Sequence, residues 1–169
     1  MTDTTTGAQP TNVQPNAPHI AVNAQYVKDL SFENPNAPQS LLAGGEAPKI
    51  EVSVDVQARA LGENRYEVEL RITASATRQG VRAFVAEVQY AGLFTLLNFD
   101  NDTLRAICLI ECPRLLFPFA RRIIADVTRD GGFPPLMLEP IDFVALYRSQ
   151  LAAQANRQAQ ATGTDEGVQ

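Results

Sequence analysis

The spacing of apolar residues changes near the middle of the chain. From residue 25 to 94 they alternate with polar ones; from 102 to 158 they recur every three or four residues. The clearest alternation is KIEVSVDVQARA (49–60). Ile50, Val52, Val54, Val56 and Ala58 share one face, and Glu51, Ser53, Asp55, Gln57 and Arg59 the other, which is the period of a half-buried strand. In QYVKDLSFEN (25–34) the same rule sets Tyr26, Lys28, Leu30 and Phe32 against Val27, Asp29, Ser31 and Glu33. RYEVELRITASA (65–76) turns Tyr66, Val68, Leu70 and Ile72 inward. In VRAFVAEVQYAGLF (81–94), Phe84, Ala86, Val88 and Tyr90 oppose Ala83, Val85, Glu87 and Gln89. The short turns LGEN (61–64) and RQG (78–80) join the last three strands into an antiparallel meander with one wet face. The first strand stands apart, because the 14 residues PNAPQSLLAGGEAP (35–48) separate it from the second. That is too long for a hairpin and too rich in Pro and Gly for a crossover helix. It predicts a loop that crosses the sheet edge or end and carries Leu41 and Leu42.

The second half reads as helix. In residues 102–132, Leu104, Ile107, Cys108, Leu115, Phe119, Ile123 and Val127 follow one another at helical intervals, Asp102 or Thr103 can cap the start, and Gly131–Gly132 ends it. FPPLMLEP (133–140) predicts an extended connector. IDFVALYRSQLAAQANRQ (141–158) restarts a helix near Asp142, with Phe143, Leu146, Tyr147 and Leu151 on one stripe. Strands followed by helices, segregated along the chain, define an α+β fold: a four-stranded antiparallel sheet with two C-terminal helices packed on one face. One stretch resists this picture. ECPRLLFPFARR (111–122) places Pro113 and Pro118 inside the most apolar part of the long helix, where each removes a hydrogen bond and costs roughly 3 kcal/mol.

The tails differ from the middle. Residues 1–24 and 155–169 are mostly Thr, Asn, Gln, Pro, Ala and Gly. Such segments bury too little surface to offset their ordering entropy, so both are expected to be disordered around a domain at 25–154. A formal charge of −5, with only two lysines (Lys28 and Lys49), argues against nucleic acid as a partner. No stretch near the N-terminus pairs a basic with an apolar region, and no apolar run reaches the length of a membrane span. The expected location is the cytoplasm.

Chemistry is sparse. No phosphate-binding glycine loop follows a strand, and neither GxSxG nor HExxH occurs. The single histidine, His19, falls in the predicted tail, so a nucleophile has no positioned base. Cys108 and Cys112 are too few for a structural metal and read as reduced, partly buried thiols. The carboxylate pairs Glu67/Glu69 and Asp126/Asp130 have the spacing of solvated strand and helix faces. An enzyme, a cofactor and a metal are all unexpected.

Three stretches in register resemble the SecB family of bacterial protein-export chaperones: YVKDLSFENPNAPQS (26–40), ECPRLLFPFARR (111–122) and GGFPPLMLEPIDFVALY (131–147). The resemblance covers about residues 26–148. It implies a homotetramer, a dimer of dimers, without cofactor or catalysis. Such a protein binds unfolded precursor proteins, keeps them competent for translocation and passes them to the SecA motor. The family's client groove falls on Leu41 and Leu42, on Ile50, Val52 and Val54, and on Leu115, Phe117 and Phe119. Its SecA contact falls on Asp29, Glu33, Val85 and Glu87. A second SecA contact, through the C-terminal tail, corresponds here to a segment ending GTDEGVQ, only partly acidic. Two other readings fit the same pattern. One is a small α+β domain enclosing an apolar ligand; the other is a SecB-like chaperone dedicated to a toxin–antitoxin partner.

Overall fold

The structure, a computed structural model, describes residues 16–42 and 47–162, the last five by backbone alone. Strands β1 (His19–Glu33), β2 (Lys49–Gly62), β3 (Arg65–Arg78) and β4 (Val81–Leu97) form one antiparallel sheet in the order β1-β4-β3-β2. Two-residue turns join β2 to β3 and β3 to β4. Glu63, Asn64 and Gln79 take positive φ there together with Gly80, the conformation whose twist matches the strands of a hairpin. Because β1 and β2 lie at opposite edges, the 35–48 connection spans the sheet, as its length predicts. It contains a one-turn helix, α1 (Gln39–Leu42), which sequence composition did not suggest.

Two expectations for β1 need correction. It begins at His19, within the predicted tail, because β4 continues to Leu97 and offers it a partner: His19 pairs with Leu97 and Ile20 with Leu96. Its faces also do not follow simple alternation. Register shifts lie between Val22 and Ala24 and between Val27 and Asp29, and each extra residue reverses the side-chain parity that follows. Val27, Leu30 and Phe32 therefore share the helix side, while Tyr26, Asp29, Ser31 and Glu33 share the outer side. Residues 1–15, 43–46 and 163–169 lie outside the described residues, with the expectations that fall on them.

One helical rod covers the inner sheet face: α2 (Asn101–Ala106), a π-helical turn (Ile107–Glu111) and α3 (Cys112–Asp130). Its cap is Asp100 rather than Asp102 or Thr103; Asp100 accepts from the Thr103 N–H at 2.9 Å and its hydroxyl at 2.6 Å. The π turn accommodates Pro113, while Pro118 stays inside α3. Pro113 has no N–H for the carbonyl four residues back, and its ring crowds that carbonyl in a regular helix. In the wider turn just before it, the Cys112 N–H reaches back five residues to Ile107. The extra residue rotates the downstream helix by about 100°. The buried stripe is consequently Cys108, Cys112, Leu116, Ala120 and Ile124. Leu115 and Phe119, in the expected stripe, are instead 44% exposed.

This stripe meets Val68, Leu70 and Ile72 of β3 and Phe84, Ala86, Val88 and Phe94 of β4, all buried. At Gly131 the chain passes against the ring of Phe32, which stacks on Phe84; a Cβ there would lie 2.2 Å from Phe32. The connector after it is tied down by Thr128. Its buried hydroxyl accepts the Leu136 N–H at 2.9 Å and faces the Ile124 and Ala125 carbonyls. The last helix, α4 (Phe143–Thr162), is capped by Asp142, whose carboxylate accepts the Ala145 N–H at 3.0 Å. Phe143 is buried, and α4 rests chiefly on the π turn. It continues through residues 155–162, which composition assigned to a tail.

Candidate functional site: two faces of one sheet

The outer sheet face collects the four residues expected to contact a motor. In the β1–β4 ladder Glu33 stands opposite Val85, Ser31 opposite Glu87, and Asp29 opposite Gln89. Residues directly opposite share a face, with Cβ atoms about 5 Å apart. Asp29, Glu33 and Glu87 are exposed. Glu87 accepts a hydrogen bond from the Thr73 hydroxyl at 2.9 Å. Among the described residues none of the three carboxylates has a cation within ion-pair distance.

Beside this acidic end lies a paired charge network that sequence analysis read as an ordinary solvated face. Glu67 is only 8% exposed. The Tyr26 hydroxyl donates to it at 2.6 Å, and Lys28 and Arg59 lie 3.2 and 3.0 Å from its oxygens. Lys28 also meets Glu69 at 2.9 Å, and Arg71 meets Glu69 at 3.4 Å. The Tyr26 hydrogen bond, aided by Lys28 and Arg59, holds the Glu67 carboxyl below its ordinary value of 4.5 against the opposing effect of burial. The Tyr26 hydroxyl is pushed up in turn, first by that hydrogen bond and then by burial. The signal in the sequence was Glu67 and Glu69 at a two-residue spacing in the central strand; the missing information was which cations the bulged β1 brings over them.

The helix side carries the apolar candidates, and the structure separates them into groups. Val52 is 46% exposed, while Ile50 and Val54 are half-buried against the core. They lie on edge strand β2, which the helical rod reaches chiefly through its π turn. Leu41 and Leu42 are exposed on α1, with Leu41 beside Gly132 at the end of α3. Leu115 and Phe119 lie on the outer flank of α3, where Phe119 stacks on Tyr90 with ring centres 6.1 Å apart. Phe117 turns away from them and meets Phe143 edge-on at 6.2 Å. The eight residues thus form no single groove within one chain. A separate open cleft of about 630 Å³ runs along β2 beneath α2 and α4, lined by Val56, Ala58, Leu104, Leu109 and Gln150 among others.

Neither cysteine is a reactive group. Burial pushes the Cys108 thiol up to about 11 and raises Cys112 further, with the neighbouring Cys108 and Glu111 adding to the effect. Among the described residues no cluster of three or more His, Cys, Asp or Glu is placed to hold a metal. No helix among them is long and apolar enough to cross a membrane.

Comparison with known proteins matches this architecture to one group. A family model described as preprotein translocase subunit SecB matches residues 13–154. The protein-export protein SecB of Maricaulis maris is 56% identical over 144 residues, spanning 85% of this chain and 84% of that protein. Its counterpart in Rhodospirillum centenum is 59% identical over 133 residues, 78% and 79% of the two chains. A SecB-like chaperone of Mycobacterium tuberculosis, solved with an antitoxin peptide, aligns with a TM-score of 0.60 at 17% identity, over 73% of this chain and 91% of that one. That likeness shows the shared fold. The fold and the relatives together define a protein-export chaperone. The chain belongs to the SecB family.

Proposed function

We propose that the protein works in the cytoplasm as a non-enzymatic homotetramer, binding unfolded precursors on its apolar helix-side surfaces and delivering them to SecA through its acidic outer face. One observation supports this reading: the strand residues of the two sets point to opposite sides of the sheet. Val52 points to the helix side, and Glu33 and Glu87 point to the outer side. A bound client therefore leaves the acidic face free.

The physical logic follows from the surfaces. Burying a Leu- or Phe-sized side chain contributes about 1.5–3 kcal/mol, and ordering a flexible client cancels much of it. Weak contacts spread over four linked subunits gain affinity through effective concentration. The division of the apolar candidates among β2, α1 and α3 suits a surface completed by neighbouring subunits. On this reading Leu41, Leu42, Ile50, Val52, Val54, Leu115, Phe117 and Phe119 serve clients, and Asp29, Glu33, Val85 and Glu87 serve SecA.

Paired variants test the division. Val52→Asp with Val54→Asp puts charge where no partner awaits it, and should lower capture of a denatured precursor by at least about tenfold, the equivalent of 1.4 kcal/mol. SecA binding should stay near normal. Glu33→Lys with Glu87→Lys should do the reverse. Equal loss of both activities in either variant, with the fold intact, contradicts the proposal.

A further inference from the structure

The charges of the outer face are sorted along the sheet, and a small residue makes the sorting possible. Tyr26 of β1 and Glu69 of β3 both stand opposite Ala91 of β4. Over this short side chain, β1 reaches across β4 to β3: Tyr26 to Glu67, and Lys28 to both Glu67 and Glu69. From the other edge, Arg59 of β2 closes on Glu67. Arg71 closes on Glu69 within β3. With its amide oriented to satisfy both neighbours, Gln89 donates to Glu69 at 3.2 Å and accepts from Arg71 at 3.0 Å. Gln89 stands opposite Asp29, where the unpaired acidic end begins.

We infer that this network is a specificity determinant of the docking face, confining its free negative charge to the end marked by Asp29, Glu33 and Glu87. The inference rests on the proposed SecA contact. Lys28, Arg59 and Arg71 set three cations against the carboxylates of Glu67, Glu69 and Asp55, the last standing opposite Arg71, which leaves the centre neutral. Without those cations the acidic surface runs on from β1 and β4 across β3, and a basic partner finds no reason to stop at one register. With them, the neutral centre offers a basic surface no attraction and the acidic end attracts it. Charge complementarity of this kind governs encounter rate and register more than final affinity. Lys28, Arg59, Glu67 and Glu69 are accordingly positioning residues and make no direct contact with the partner.

Two opposite variants test the inference. K28M/R59M changes the centre from neutral to two net negative charges, and E67Q/E69Q to two net positive. A lysine-rich peptide is the first probe and purified SecA the second, with association followed at low and high salt and the contact surface mapped by amide chemical shifts. For the peptide, K28M/R59M should raise the association rate about 3–10-fold at low salt and extend the mapped contact onto β3. E67Q/E69Q should lower the rate by a similar factor, and both differences should vanish near about 0.5 M salt. For SecA, K28M/R59M should broaden the contact from the Asp29–Glu87 end toward Glu67. Rates that stay unchanged, or move the same way in both variants while circular dichroism shows them folded, overturn the inference and leave the network a purely structural staple. If SecA fails to map to this face of the unaltered protein while the peptide responds with opposite signs, the charge sorting stands and the SecA assignment falls.

Discussion

Lys28 sits at a β1 register shift, and its position decides what the outer face becomes. Strict alternation groups it with Leu30 and Phe32, away from Asp29; the bulge instead brings Tyr26, Asp29 and Glu33 to one side and swings Lys28 over Glu67 and Glu69. The parity of Asp29 with Glu33 was legible because both follow the bulge. The parity of Tyr26 was not, since a single inserted residue leaves no mark in a short amphipathic strand. Glu67 offers a direct check. Its folded-state pKa is depressed, so its pairing stabilises the protein fully above about the unfolded value of 4.5 and loses that contribution as pH falls through the folded value. Glu67→Gln should therefore be less stable than the unaltered chain at pH 7, with the difference shrinking as urea unfolding is repeated from pH 5 downward. A difference independent of pH excludes Glu67 as a source of acid sensitivity.

Among the elements, strands β2, β3 and β4 and both hairpin turns were readable because period and turn chemistry agree. Val68, Leu70 and Ile72 are fully buried on the side their alternation assigns. The long helix was readable in extent but not in phase. Pro113 announced a disturbance; only the structure shows that it is absorbed by a π turn, which rotates Leu115 and Phe119 out and Leu116 and Ala120 in. Tail boundaries failed for a related reason, since Ile20 and Val22 gain their partners from the end of β4 and not from local composition. The helix crosses the sheet closely at Gly92, where a Cβ would lie 2.6 Å from the Phe94 ring and 2.9 Å from Leu116. Gly92→Ala should destabilise by about 1–3 kcal/mol through overpacking, seen as a lower urea midpoint with an unchanged slope. An unchanged midpoint places the helix farther from β4 than described.

Across the complete molecule, one sheet separates an apolar helix side from an outer side with an acidic end. Val22, Val27, Leu30, Leu115 and Phe119 all remain more than 40% exposed on the helix side of one chain, and exposed apolar side chains that gather on one face mark interaction surfaces. On the proposed reading, assembly covers part of such a surface and clients cover the rest. On that reading the charge of the outer face, with an end unpaired among the described residues and a neutralised centre, directs the loaded assembly to a basic partner. The most direct test of this account is the mass of the purified protein by size-exclusion chromatography with light scattering, alone and after a urea-denatured precursor is diluted into it. The account predicts four 18.4 kDa chains alone, and a heavier complex that retains all four chains and keeps the precursor soluble. A monomer at micromolar concentration that leaves the precursor to aggregate contradicts it.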